Sequence, residues 1–151
     1  MLARAGLFYH PDRPWLARHL SFIEHMALCA QRDWAGVVDV FGIRGWLQRK
    51  TGSLSGGELR LTELAFGFAL RPVVALLDEP FRGLEPLHRE QIGRCFRNLA
   101  NEGVAILYAD HDVESVRRTA DRLFSMERGA TRMVEGFRAR PLHEWYHAWP
   151  R

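Results

Sequence analysis

The stretch from Leu54 to Pro86 constrains the fold of this chain more than any other part of it. It begins with the letters LSGGE, which place a serine and two glycines directly before a helical run. It continues into the apolar run from Val73 to Leu77, which stops at two acids. Bare N–H groups at a helix start favour an anion, and a short apolar run with β-branched residues is typical of a buried strand. The stretch therefore predicts an α/β fold built for nucleotide chemistry.

The two acids after the predicted strand are Asp78 and Glu79. Carboxylates at the C-terminal end of a parallel strand are well placed to hold Mg²⁺ and to orient or deprotonate a water beside a phosphate. A structural interpretation competes with this one, in which the acids form an ion pair with Arg82 at the end of the strand.

Composition predicts an ordinary globular chain. The apolar fraction is 47% and the charged fraction 26%, and no run approaches the roughly 20 apolar residues of a membrane span. We expect a cytoplasmic protein, because no signal-peptide pattern is present and two cysteines fit a reducing compartment. The net charge of +3 comes from scattered arginines, which argues against a nucleic-acid partner.

The pattern of apolar residues, caps and turns predicts alternating strands and helices. We expect strands near residues 4–10, 73–77, 104–109 and 123–126, helices near 21–31, 33–42, 86–101 and 112–119, and a hairpin through 128–135. A further helix is expected to begin near Glu58 and to be buried on more than one side. Such alternation predicts a parallel sheet with helices on both faces.

In this order, the motifs resemble those of the nucleotide-binding subunit of an ATP-binding cassette (ABC) transporter. LSGGE is similar to the family's signature motif, and residues 73–79, 83–86 and 106–112 are similar to its Walker B strand, D-loop and switch-histidine region. The resemblance covers about the last two thirds of such a subunit. It implies an incomplete P-loop NTPase fold of the RecA-like, ABC type. Residues 1–13 and 71–151 would form the partial α/β core, and residues 14–70 a helical subdomain ending in the signature helix.

The resemblance also implies roles for single residues. Glu79 would be the catalytic carboxylate that polarises the attacking water, and His111 would contact the γ-phosphate. Asp78 would hold Mg²⁺, usually through water. The nucleotide-binding residues would be Asp12, Ser55, Gly56, Gly57 and Glu58. The D-loop residues would be Leu84 and Glu85.

Several positions depart from the family pattern. Asp12 stands where the family's Q-loop carries glutamine, and Glu85 stands where its D-loop carries aspartate. Leu61 and Phe66 occupy positions that are usually polar or basic, which suggests an unusual neighbour there.

The phosphate-binding loop GxxxxGK[ST], known as Walker A, is not found in the 151 residues. Lys50 is the only lysine, and Arg44 and Arg49 stand where the two glycines should be. We therefore expect the isolated chain to bind ATP weakly and to hydrolyse it negligibly. In the family this loop follows a strand internal to the sheet, so unpaired edges and an exposed apolar surface are expected. The chain could be the distal portion of a longer or split ATPase, could be completed by a partner polypeptide, or could be a rearranged module.

Two functions follow from the resemblance. The first is an ATP-binding subunit that couples ATP binding and hydrolysis to membrane transport, with ATP and Mg²⁺ as cofactors. Its partners would be a second nucleotide-binding subunit and transmembrane subunits at the inner face of the membrane. The alternative is a non-catalytic interaction subunit that donates LSGGE to a partner ATPase. Neither cargo nor direction of transport is indicated.

Two further patterns have competing interpretations. Residues 143–147 satisfy HExxH, the helical zinc pair, but we favour terminal packing by Trp145 and Trp149 because no further ligand follows. Trp15, Trp34 and Trp46 are expected either to pack in the core or to line a groove for a helix of a membrane partner.

Overall fold

A computed structural model describes residues 6–29 and 33–137. The chain divides into two compact units, Met1–His111 and Asp112–Arg151. The described part of the first unit contains β1 (Leu7–His10), α1 (Phe22–Leu28), α2 (Ala35–Phe41), α3 (Gly56–Ala69), β2 (Val74–Asp78), α4 (Pro86–Asn101) and β3 (Ala105–Ala109). The described part of the second contains α5 (Val113–Thr119), β4 (Phe124–Glu127) and β5 (Ala130–Met133). None of the described helices has the length and apolar character needed to cross a membrane.

The first unit is organised on a parallel sheet in the order β1-β2-β3. His10 lies beside Leu77, and Asp78 lies beside Ala109. Because all three strands run in the same direction, their carboxyl ends meet at one edge of the sheet. The residues that follow each strand are thereby collected at that edge.

Helix α3 begins two residues earlier than the sequence predicts, at Gly56 rather than near Glu58. Glycine is a poor helix former, but a capping box overrides that preference here. Ser55 Oγ accepts from the Glu58 N–H, and the Glu58 carboxylate accepts from the Ser55 N–H. Every residue from Arg60 to Ala69 is buried, as the apolar pattern predicts.

The core lies where α3 packs between the sheet and the other helices. Phe68 is 2% exposed and is its central ring. Its ring centroid lies 5.6 Å from that of Phe8, 5.8 Å from that of Phe41 and 6.0 Å from that of Phe96. One aromatic side chain therefore joins β1, α2 and α4. Leu61 and Phe66 are both members of this buried core.

The other face of the sheet exposes apolar side chains. Tyr9 is 54% exposed and Leu107 63% exposed, while Phe8 and His10, the neighbours of Tyr9 in β1, are buried. Among the described residues, β1 and β3 are the edges of this sheet. This agrees with the expected unpaired edges and exposed apolar surface.

The second unit contains the predicted hairpin. Strands β4 and β5 pair antiparallel, with Phe124 opposite Met133. Arg128 and Gly129 join them and both have positive φ, +48° and +80°. Two positive φ values are what a two-residue hairpin turn with right-handed strand twist requires. Asp112 caps α5 by accepting from the Ser115 N–H at 3.2 Å.

Gly67 offers a test of how closely α3 approaches β1. A Cβ atom at this position would overlap Cζ of Phe8, whose ring is buried and packs against that of Phe68. We expect Gly67→Ala to lower the free energy of unfolding by about 1–3 kcal/mol, despite alanine's better helix propensity. The measurement is urea unfolding followed by circular dichroism.

Gly36 in α2 is the matched control, because a Cβ atom added there would meet no described residue within 4 Å beyond its chain neighbours and the backbone of its own helix. Gly36→Ala should therefore leave stability unchanged or raise it by up to about 1 kcal/mol. Equal effects of the two substitutions would show that the helix and the strand are not in close contact.

Candidate functional site

The structure brings Glu79 and His111 together at the carboxyl edge of the sheet. Glu79 follows β2 and His111 follows β3, and Glu79 Oε1 lies 3.2 Å from His111 Nδ1. An ionised carboxylate can only accept, so the Nδ1–H donates. The Glu79 side chain is 30% exposed and the His111 side chain 71% exposed. The two predicted catalytic groups therefore share one surface and one hydrogen bond.

Glu79 has a backbone conformation that residues other than glycine rarely adopt. Its φ is +46°, in the left-handed region, and its N–H donates to the Ala109 carbonyl at 2.8 Å. The Arg82 N–H closes the following turn by donating to the Glu79 carbonyl at 3.1 Å. A non-glycine residue in this region costs about 1–3 kcal/mol, and such strain concentrates at functional sites.

Asp12, the predicted Q-loop residue, reaches the same edge through Arg82. The Arg82 guanidinium forms an ion pair with the Asp12 carboxylate and lies 3.5 Å from Glu79 Oε2. The hydrogen bond from Arg82 lowers the pKa of Asp12. The ion pair with Arg82, which competes with the catalytic interpretation, is therefore present for Glu79. Arg82 also links Glu79 to Asp12, a second predicted site residue. Both ion pairs are exposed to solvent, so their contribution to stability is small.

Arg60 is a buried charge that the sequence reasoning missed. It lies on α3 and donates to the carbonyls of Pro11 at 3.1 Å and Asp12 at 2.9 Å. Its guanidinium thereby ties the signature helix to the loop after β1. The available signal was a single arginine within a helix that is apolar nearly all round.

His10 and Glu63 lie beneath this loop and are both buried. Glu63 Oε1 accepts from the Trp15 N–H at 2.8 Å, and its Oε2 lies 3.6 Å from His10 Nε2. Arg60 lies 3.3 Å from His10 Nδ1. Burial is the largest cause that lowers the pKa of His10 below 6.5, so the ring is neutral in the folded protein.

Because His10 is buried and neutral, we expect the free energy of unfolding to fall on mild acidification. The unfolded chain binds a proton on His10 near pH 6.5, whereas the folded chain resists it. Stability is therefore fully present above that pH and falls as pH drops toward the lower pKa of the fold. Urea midpoints measured between about pH 7 and pH 5 should decline, and His10→Gln should flatten the decline. His19, which is exposed, supplies the control: a His19→Gln variant that removed the decline equally would contradict the assignment.

The signature residues form the capped start of α3. Ser55 and Gly56 are exposed, while the Ser55 hydroxyl and the Glu58 carboxylate satisfy each other's backbone N–H groups. The bond from the Ser55 N–H is the largest cause that lowers the pKa of Glu58. Gly57 faces His88, whose Nδ1 would lie 3.3 Å from a Cβ at position 57. The helix start is thus open to solvent and carries its positive end there.

The D-loop residues lie between β2 and α4. Gly83 turns the chain with a φ of +69°, Leu84 is buried, and Glu85 is the exposed residue that precedes α4. The Glu85 side chain makes no capping bond to α4.

The described residues supply only part of the coordination shell that Mg²⁺ requires. Asp78 is partly buried at the end of β2, and no group of three or more metal-binding side chains occurs among the described residues. Mg²⁺ is often bound by one or two carboxylates with water and phosphate completing its shell, so Asp78 suits it. Lys50, the only lysine of the chain, forms an ion pair with Glu24 at 2.6 and 2.8 Å.

Two of the three tryptophans pack with the core. Trp34 packs edge-on against Phe22, and Trp46 Nε1 donates to Thr62 at 2.9 Å, so both belong with the core. Trp15 is 38% exposed and lines an apolar cavity of about 180 Å³. The HExxH residues, 143–147, lie outside the described part of the chain.

Curated relatives match most of the chain, although no family model matches it. The lipopolysaccharide export system ATP-binding protein LptB of Escherichia coli K12 is 31% identical over 138 residues, 84% of this chain and 57% of the relative. LptB of Acidithiobacillus ferridurans is 30% identical over 137 residues with the same coverage. A probable ABC transporter ATP-binding protein of Azorhizobium caulinodans is 30% identical over 144 residues, 89% of this chain and 51% of the relative. The chain thus spans about half the length of these relatives.

Solved structures show the same fold. The ATP-binding subunit of an ABC transporter superposes with a TM-score of 0.75 at 24% identity, over 95% of this chain and 68% of that one. An ATP-binding cassette in its ADP conformation gives 0.73 at 20% identity, over 90% of this chain and 64% of that one. The chain is therefore homologous over most of its length to ABC transporter ATP-binding proteins, and it has the fold of ABC ATP-binding cassettes.

Proposed function

We propose that this chain is part of an ATP-binding subunit that couples ATP binding and hydrolysis to membrane transport. The observation that carries the proposal is the hydrogen bond between Glu79 and His111 at the carboxyl ends of adjacent parallel strands. A carboxylate paired with an imidazole at this edge suits the orientation of a water beside a phosphate. The names of the relatives, all ATP-binding proteins, support it.

Each site residue has a separate task in this proposal. Glu79 polarises the attacking water, and His111 contacts the terminal phosphate. Asp78 holds Mg²⁺, which would neutralise phosphate charge. Ser55 and Gly57 present the exposed start of α3 to a nucleotide held by a second subunit, because that helix end attracts anions.

The same proposal requires a phosphate-binding loop from outside these 151 residues. Without its lysine and glycines, phosphate charge would meet Asp78 and Glu79 unneutralised. The test is ATP hydrolysis by the chain alone and mixed with an ABC subunit that carries Walker A. We expect turnover at background for the chain alone and above background for the mixture. Turnover by the chain alone that Glu79→Gln abolishes would contradict this.

The second subunit and the transmembrane subunits are proposed partners, at the cytoplasmic face of the membrane. The apolar cavity beside β1 supports a docking site for a helix of the membrane partner. It is lined in part by Tyr9, Trp15, Phe66 and Leu70, and Trp15 is the exposed aromatic at its rim. Trp15→Ala should weaken co-purification with the transmembrane subunits, whereas Trp34→Ala should act only through stability.

A non-catalytic role is favoured by one observation. Glu79 is already engaged by His111 and Arg82, while Ser55 and Gly56 are exposed. A chain that only donates LSGGE would need its helix start and not its carboxylate. In that case the mixture would lose activity with Ser55→Ala and keep it with Glu79→Gln.

A further inference from the structure

We propose that Asp110 is a positioning residue that sets the geometry of Glu79 and His111. The inference deepens the proposed function and rests on it. Asp110 directly precedes His111, and its side chain is 0% exposed. A carboxylate is costly to bury, so its retention at this point calls for a specific set of partners.

The first partner is the turn that carries Glu79. Asp110 Oδ2 accepts from the Phe81 N–H at 3.0 Å, and the carbonyl of Ala109 accepts from the Glu79 N–H at 2.8 Å. Pro80 lies between these two donors and has no N–H of its own. Two consecutive residues at the end of β3, Ala109 and Asp110, therefore accept every N–H of the segment 79–81. We call this pair of hydrogen bonds the clamp.

This clamp explains how Glu79 keeps a φ of +46°. A strained backbone conformation persists only where the surroundings over-determine it. The clamp holds the turn on each side of Pro80, and Glu79 is the residue whose side chain it aims. Releasing the Phe81 N–H would remove one of the two attachments and allow Glu79 to relax.

The second partner is the imidazole. Asp110 Oδ1 lies 3.8 Å from His111 Nδ1, the nitrogen that also contacts Glu79. Two carboxylates on one side of the ring favour a proton on Nδ1. The other nitrogen, Nε2, is then the acceptor that remains for a ligand. Asp110 thus positions both Glu79 and His111, and this role does not require contact with a nucleotide.

Two substitutions separate these effects. Asp110→Asn keeps a carbonyl oxygen for the Phe81 N–H but removes the charge beside His111. Asp110→Ala removes both. Asp39→Ala is the matched control, because Asp39 is an exposed aspartate whose ion-pair partner is Arg44.

Nuclear magnetic resonance on the 151-residue chain provides the readouts. In Asp110→Ala, the Phe81 amide should exchange with solvent at least about tenfold faster, after correction for global stability. In Asp110→Asn, that amide should stay protected, while the ¹⁵N shifts of the His111 ring should move toward the Nε2–H tautomer. Asp39→Ala should change neither.

The proposal is overturned if both Asp110 variants keep the wild-type Phe81 exchange and His111 ring shifts. Should Asp110→Ala not fold, the ring shifts of Asp110→Asn decide the matter. In the assembled ATPase, Asp110→Ala should lower kcat with little change in KM, and Asp110→Asn should restore part of the loss. If no assembly hydrolyses ATP while both magnetic resonance changes occur, the proposed function fails and the positioning of the pair stands.

Discussion

Replacing Glu79 by glutamine is expected to abolish ATP hydrolysis in the assembled ATPase. Glutamine has nearly the same shape but cannot accept a proton from water, and it would hold His111 less strongly. Loss of general-base catalysis costs about 10²–10⁴ in rate, so kcat should fall at least about 100-fold. Nucleotide affinity should be retained, because Glu79 is not among the groups proposed to bind the nucleotide.

The measurement is steady-state phosphate release by the mixture with a Walker A-bearing subunit, alongside binding of a fluorescent ATP analogue. Glu90→Gln is the control, since Glu90 is a half-exposed glutamate on α4. It should leave kcat within about twofold of wild type, as expected for a surface change away from the site. A Glu79→Gln mixture with near-normal turnover would exclude Glu79 as the base.

Replacing Phe68 by alanine is expected to produce a large loss of stability. The ring is buried and contacts the rings of Phe8, Phe41 and Phe96. Removing such a side chain costs about 3–5 kcal/mol, from lost burial and from the cavity left behind. A domain of this size has roughly 5–15 kcal/mol in total, so the variant should be marginal at room temperature.

Urea unfolding followed by tryptophan fluorescence measures this loss. Phe124 in β4 is 52% exposed and gives a matched phenylalanine control. Phe124→Ala should shift the free energy of unfolding by about 1 kcal/mol at most. If the two substitutions cost the same, α3 would not be the packing centre that the structure shows.

Much of the secondary structure follows from local patterns in the sequence. The predicted apolar runs before Asp78 and Asp110 are strands in the structure, and Ser55 and Glu58, three positions apart, form a local capping box at the start of α3. Glu79 and His111 could be expected near each other for one reason: each follows a strand, and parallel strands end at one edge. Their chemical roles remain proposals.

The charged contacts around this pair could not be anticipated in the same way. Arg82 meets Asp12 across 70 positions of sequence, and Arg60 meets the Asp12 carbonyl across 48. In the sequence, Asp110 is an ordinary polar residue at a strand end. Only the structure shows that it accepts a hydrogen bond from the turn after β2. No periodic pattern marks such residues, because each acts singly and far along the chain from its partner.

The sequence alone determined the order of strands and helices and the delivery of acids and a histidine to strand ends. These depend on backbone preferences and on the spacing of apolar residues, which are local. Only the tertiary structure decided which charges are buried, which of them pair and how Glu79 is held in a left-handed turn. Those outcomes depend on the docking of α3 against β1 and of the turn after β2 against the end of β3, because desolvation and hydrogen bonding are set by groups distant in sequence.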